Sequence, residues 1–171
     1  MSTTYSTIVA TRNRPDALAL SLPLILAQSR PPESVLVVDS SDDPRPNAGL
    51  VAQLAIGAKM PVAHRSSAPG LPLQRNIGLV GIASDVTLFP DDDSLLFPDA
   101  MEHAMRIYDL DTAGRVGGVR TAEARSAPPG VLNTPARAIG PAYKMRTTDR
   151  IKALISRRRY ALEAKLFPEP F

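Results

Sequence analysis

Cysteine is absent from the 171 residues, so neither a disulfide nor a thiolate metal site is open to this chain. That suits a reducing cytoplasm. Histidine is nearly absent too, with only His64 and His103. No H-x-x-x-H spacing occurs, which argues against a histidine metal site, and both residues read as structural or surface groups. No apolar run approaches the roughly 20 residues a membrane span needs. The start, Met1-Ser2-Thr3-Thr4-Tyr5, has neither the charged region nor the apolar stretch of a signal peptide. The expectation is a cytoplasmic protein that meets a membrane, if at all, peripherally at its inner face. Net charge is only +3, which does not by itself indicate nucleic acid. The basic C-terminal stretch also lacks interleaved aromatics beyond Tyr160, so no nucleic-acid partner is expected.

What is there describes a globular chain, 44% apolar and 22% charged, long enough for one compact domain. Its charge is uneven. Arg and Lys concentrate between Arg120 and Lys165, while acids crowd into Asp39–Asp43 and Asp91–Asp93. Such a division suits a site that handles a cation on one side and phosphates on the other.

Strand and helix patterns alternate. Tyr5–Ala10 reads as a strand, followed by a helix that Pro15 opens and that runs to about Gln28, with Pro23 expected to kink or divide it. Ser34–Asp39 is an almost continuous apolar run, the mark of a parallel strand buried on both faces. Helices are expected over Ala48–Ala58, Leu71–Ala83 and Pro98–Asp109, with strands over Pro61–Arg65, Asp85–Phe89 and Arg115–Val119. This order predicts an α/β fold, a Rossmann-like, mostly parallel sheet flanked by helices. Residues 1–119 form that domain, 120–148 a Pro- and Gly-rich loop or insert, and 149–171 a basic amphipathic helix and tail. The helix pattern suits a packing element or one lying on an anionic membrane surface.

The polar motifs Thr11–Arg14, Asp39–Asp43 and Asp91–Asp93 each follow a strand directly. In such sheets ligands bind outside the carboxyl ends of the strands, so the three should converge there. Three consecutive carboxylates repel one another unless a cation is near. Mg²⁺ and Mn²⁺ take oxygen ligands, commonly one or two carboxylates completed by substrate phosphates. On an extended chain Asp91 and Asp93 would point one way and Asp92 the other; a solvated acidic turn is the plainer alternative. Asp39 can accept hydrogen bonds from a base or ribose, or can cap a turn. Thr11, Arg12 and Arg14 can meet a base and phosphates, and Arg75 and Asn76 lie on a helix facing the same edge.

Two stretches, TIVATRNRPDALALSLPLILAQSRPPESVLVVDSSDD and PGLPLQRNIGLVGIASDVTLFPDDDSLLFPD, resemble inverting family 2 glycosyltransferases of the GT-A fold. Those read as a strand, T-x-N-R-P, a helix ending A-Q-(S/T), a V-V-D-x-S strand end, an A-R-N-x-G helix and a strand carrying D-x-D. Coverage is about residues 5–119. The resemblance implies a sugar transferred from a nucleoside-diphosphate sugar to a hydroxyl of a glycan, lipid or other acceptor, with Mn²⁺ or Mg²⁺ as cofactor. It places Thr11, Arg12 and Asp39 at the base and ribose and Arg75 at the base or diphosphate. Asp92 and Asp93, with Asp91, meet the ribose, diphosphate and metal.

Members of that family continue into an acceptor-binding half whose catalytic carboxylate often stands in an E-D pair. No such pair follows Asp93; Glu102, Asp109, Asp111, Glu123, Asp149, Glu163 and Glu169 are single acids. The expectation is a truncated GT-A nucleotide-diphospho-sugar transferase domain whose base the sequence does not identify. A non-catalytic nucleotide-sugar-binding fragment or subunit is the alternative. A D-x-D phosphatase fits less well, because about 90 residues precede the motif and no later acidic pair follows.

Overall fold

The computed structural model describes residues 2–122, 124 and 127–131. The helix expected over 149–166, most of the loop before it, and Glu123, Asp149, Glu163 and Glu169 lie outside the described residues.

Four strands and four helices alternate: β1 Tyr5–Thr11, α1 Pro15–Leu26, β2 Val35–Asp39, α2 Arg45–Gly57, β3 Val62–Ser66, α3 Leu71–Leu79, β4 Val86–Leu88 and α4 Ala100–Leu110. All the strand pairs are parallel, and the sheet order is β3-β2-β1-β4. The expected α/β class with a parallel sheet is therefore present. The chain lays β2 and β3 outward on one side of β1, then returns to place β4 on the other. That reversal opens a crevice between the carboxyl ends of β1 and β4, where ligands of open parallel sheets bind.

Alternation along β1 sorts the helices onto two faces. Val9 packs with Val35 and Val37 of β2, Leu18, Leu22 and Ile25 of α1, and Val51 of α2. Tyr5, on the same face as Val9, joins Met101, Ala104 and Met105 of α4 in a second cluster. Ile8 points the other way, toward α3. A Cβ on Gly78 would lie 2.4 Å from the Ile8 Cγ2, so the glycine lets α3 approach the sheet closely. Burial of each such aliphatic side chain stabilises by about 1.5–3 kcal/mol.

Several expected boundaries shift. Pro23 does not divide α1, which runs on through it to Leu26, and Ala27 N–H bonds the Pro23 carbonyl at the helix end. The second helix starts earlier, at Arg45, since Pro46 occupies a first turn where no N–H is required. The third stops at Leu79 rather than Ala83, with Gly81 in the left-handed region at φ +88°. Residues Arg115–Val119 form no fifth strand. There Val116 N–H donates to Asp111 Oδ2, and Gly117 and Gly118 supply no side chains to pack on a neighbour. No described helix is long and apolar enough to cross a membrane.

Candidate functional site

Three loops leave the carboxyl ends of β1, β2 and β4, and hydrogen bonds join them. Arg12–Arg14 follows β1. Asn13 takes φ +54°, a conformation Asn tolerates better than most residues. Its N–H donates to Ser41 Oγ, its side chain donates to Asp42, and its Oδ1 accepts from Asp42 N–H. Arg12 adds an exposed ion pair with Asp42 at 3.3 Å. The Asn13 hydrogen bond, then Arg12, holds the Asp42 carboxyl below its ordinary range. Arg45 does the same for Asp43, lowering it to about 2.

Asp39 closes β2 and is 1% exposed. Its Oδ1 accepts from the N–H and Oγ of Ser41, and its Oδ2 accepts from Asn47 Nδ2 at 3.0 Å. His64 Nε2, on the neighbouring β3, lies 3.2 Å from the same Oδ2 and donates when that nitrogen carries the proton. Burial pushes the carboxyl up, but the donors from Ser41, Asn47 and His64 outweigh it and hold the group below its ordinary value. These contacts use the roughly four acceptor positions of a carboxylate. Asp39 is therefore the knot of its loop, the turn cap that was one of its two expected roles.

The acidic triplet is a turn rather than an extended segment. Ala10 bridges Asp91 in parallel register, Ser94 N–H returns to the Asp91 carbonyl at 3.0 Å, and Asp91 N–H meets Ser94 Oγ. The turn drives Asp92 inward, with its side chain 6% exposed, and leaves Asp93 outward at 55% and Asp91 at 71%. Thr11 Oγ1 donates to Asp92 Oδ2 at 2.8 Å, and Ser21 Oγ of α1 donates to the Asp92 carbonyl. Arg14 then spans two acids, Nη1 to Asp92 Oδ1 and Nη2 to Asp93 Oδ2, both at 2.7 Å. The Asp93 hydrogen bond and the Asp92 charge push the Arg14 guanidinium further up, so it stays a cation.

Arg75 stands on the other flank, 3.6 Å from Asp91 and over the Phe89 ring at 5.6 Å. Its neighbour Gln74 is buried and donates from Nε2 to the carbonyls of Thr11 and Val38. Gln74 thus ties the N-terminal half of α3 to the ends of β1 and β2. A cavity of about 520 Å³ opens beside Asp93, lined by Ser94, Phe97, Thr121 and Pro128 among others.

The candidate site residues Thr11, Arg12, Arg14, Asp39, Arg75 and Asp91–Asp93 lie along this one edge, but in two groups. Thr11, Arg14, Arg75 and Asp91–Asp93 meet at the β1/β4 crevice, while Arg12 and Asp39 knit the β2 loop. His64, read from sequence as a structural or surface group, has a structural place beside Asp39. Gln74 and Ser21 escaped the sequence reading, because a lone polar residue in a helix carries no pattern. Among the described residues no three acids or histidines converge on one point as a closed metal cage does. Asp91 and Asp93 are the outward carboxylates of the turn, and Mg²⁺ and Mn²⁺ can be held by one or two carboxylates with waters and phosphates completing the shell. The described single acids are engaged elsewhere: Glu102 accepts from Ser29, Asp109 from Arg30 and Thr3, and Asp111 from Val116.

No family model matches the chain, and no curated protein matches it by sequence. Among solved structures it is similar to the crystal structure of S. aureus TarS, with a TM-score of 0.52 and 24% identity over 62% of this chain and 19% of that one. A second structure, TarS 1-349, aligns with a TM-score of 0.52 at 21% identity, over 62% of this chain and 32% of that one. The chain therefore spans between about a fifth and a third of the proteins it resembles. What the likeness shows is the fold, an α/β domain of the GT-A type with an all-parallel sheet.

Proposed function

We propose that this chain is the nucleotide-sugar-binding part of a family 2 glycosyltransferase, which transfers a sugar from a nucleoside diphosphate to an acceptor hydroxyl. The observation that carries the reading is the β1/β4 crevice. There two arginines from separate elements flank a turn with two outward carboxylates, at the switch point of a GT-A fold. Arginine forks suit diphosphate oxygens, and the acids suit a divalent cation.

In this reading Asp93 and Asp91 hold Mn²⁺ or Mg²⁺, which supplies Lewis-acid neutralisation of a departing diphosphate. Arg75 and Arg14 bind the phosphates, and Phe89 beneath Arg75 limits how far that side chain can swing. Thr11 and the buried Asp92 fix the turn from below. The Asp39 loop, with Arg12 at its rim, forms the wall against which base and ribose lie. The cavity beside Asp93 is the place for the sugar and the acceptor hydroxyl. A general base has to stand there to take the hydroxyl proton. Glu102, Asp109 and Asp111 are bonded elsewhere, which favours a second reading, a binding fragment or subunit that depends on another segment for its base.

Calorimetry with UDP and with GDP, in Mn²⁺ and in EDTA, tests the reading. Binding should appear, and should tighten with the metal, because the phosphates complete its shell. No binding of either nucleotide sinks the proposal, and equal affinity in EDTA removes the metal from it.

A further inference from the structure

Arg14 is the only cation of the described residues that contacts two members of the acidic turn, and it does so with both ends of one guanidinium. The two carboxylates it joins are supported unequally. Asp92 is also held by the Thr11 hydroxyl, while its main chain is held by Ser21. Among the described residues, Asp93 has no hydrogen-bond donor on its side chain besides Arg14. If the guanidinium leaves, Asp92 keeps its place and Asp93 is set free toward solvent.

Arg14 is placed to leave. It stands at the junction of β1 and α1 with its side chain 51% exposed, so the charged end can move without opening the core. A divalent cation on Asp93 and a guanidinium on the same carboxylate repel, and one displaces the other. Resting on the glycosyltransferase reading for the ligand's identity, we infer that Arg14 is an internal counter-ion that closes the acidic turn in the free protein. It is exchanged for the divalent cation, and its fork passes to the diphosphate. The site then loads cation and nucleotide together, because each removes the obstacle to the other.

This makes Arg14 an antagonist of the metal it later helps to retain. Mn²⁺ binding to the full chain without nucleotide, followed by electron paramagnetic resonance, should tighten by about ten-fold in Arg14→Gln, a factor equal to about 1.4 kcal/mol. Arg14→Lys reaches only one carboxylate and should fall between the two, which keeps the test open if the Gln variant folds poorly. Adding Asp93→Asn to either variant should abolish the gain, locating it at the turn. UDP should strengthen Mn²⁺ binding more in the parent than in Arg14→Gln. Unchanged or weaker Mn²⁺ affinity in both Arg14 variants overturns the inference even if UDP binds. A gain in Mn²⁺ affinity with no UDP binding upholds the counter-ion and rejects the glycosyltransferase reading instead.

Discussion

Two loops at one sheet edge hold their acids in opposite ways. Asp39 is buried among neutral or weakly basic donors, Ser41, Asn47 and His64, which fill both its oxygens. The carboxylates of the Asp91–Asp93 turn are held mainly by arginines from neighbouring elements, with two of the three side chains outward. A carboxylate locked by short neutral side chains cannot change partners without leaving buried donors unpaired. One held by a long, half-exposed arginine can. In the proposed reading the β2 loop is thus the wall, and the β4 turn the exchangeable site.

The contrast should break most visibly at Asp39. Asp39→Ala leaves the Ser41, Asn47 and His64 donors without an acceptor, and should cost about 3 kcal/mol in urea unfolding. It should also weaken nucleotide binding by deforming the wall. The Asp39 carboxyl lies below its unfolded value, so its stabilisation is present above the ordinary aspartate range and is lost as pH falls through the lower folded value. Asp39→Asn should therefore flatten the acid limb of the stability–pH curve.

A smaller effect sharpens the other loop. Thr11→Val keeps the shape of the side chain but removes the donor to the buried Asp92. It should destabilise by about 1–2 kcal/mol in the same assay, and loosen the turn enough to weaken nucleotide binding. The least effect on folding is expected at Asp93, whose side chain is more than half exposed. Asp93→Asn should change stability by no more than about 0.5 kcal/mol. Yet calorimetry should show that it removes the metal dependence of nucleotide affinity. A large stability loss at Asp93 would erase the distinction between wall and exchangeable site.

Much of this was legible because it is local. Apolar runs such as Val35–Val38 mark buried parallel strands whatever their neighbours, and Pro15 marks a helix start by its own covalent geometry. The position of the polar clusters followed, since residues directly after parallel strands must emerge at the carboxyl edge. Where the reading erred, the deciding facts were not local. Arg115–Val119 has two β-branched valines, but its glycines and the Val116–Asp111 bond withhold it from the sheet. By sequence Asp39 is open between a nucleotide ligand and a turn cap; the fold makes the cap, and only β3 adds His64 to it.

The sequence by itself determined the alternation of strands and helices, the edge on which the polar motifs emerge, and the residue types available there. Short-range periodicity and backbone constraint suffice for that. Only the tertiary structure decided that β4 returns beside β1, which brings Arg14 to Asp92 across 78 residues of chain. The turn then buried one acid of three and left the others outward. Strand order and side-chain direction depend on which surfaces the whole chain can bury at once, and no window of neighbouring residues carries that information.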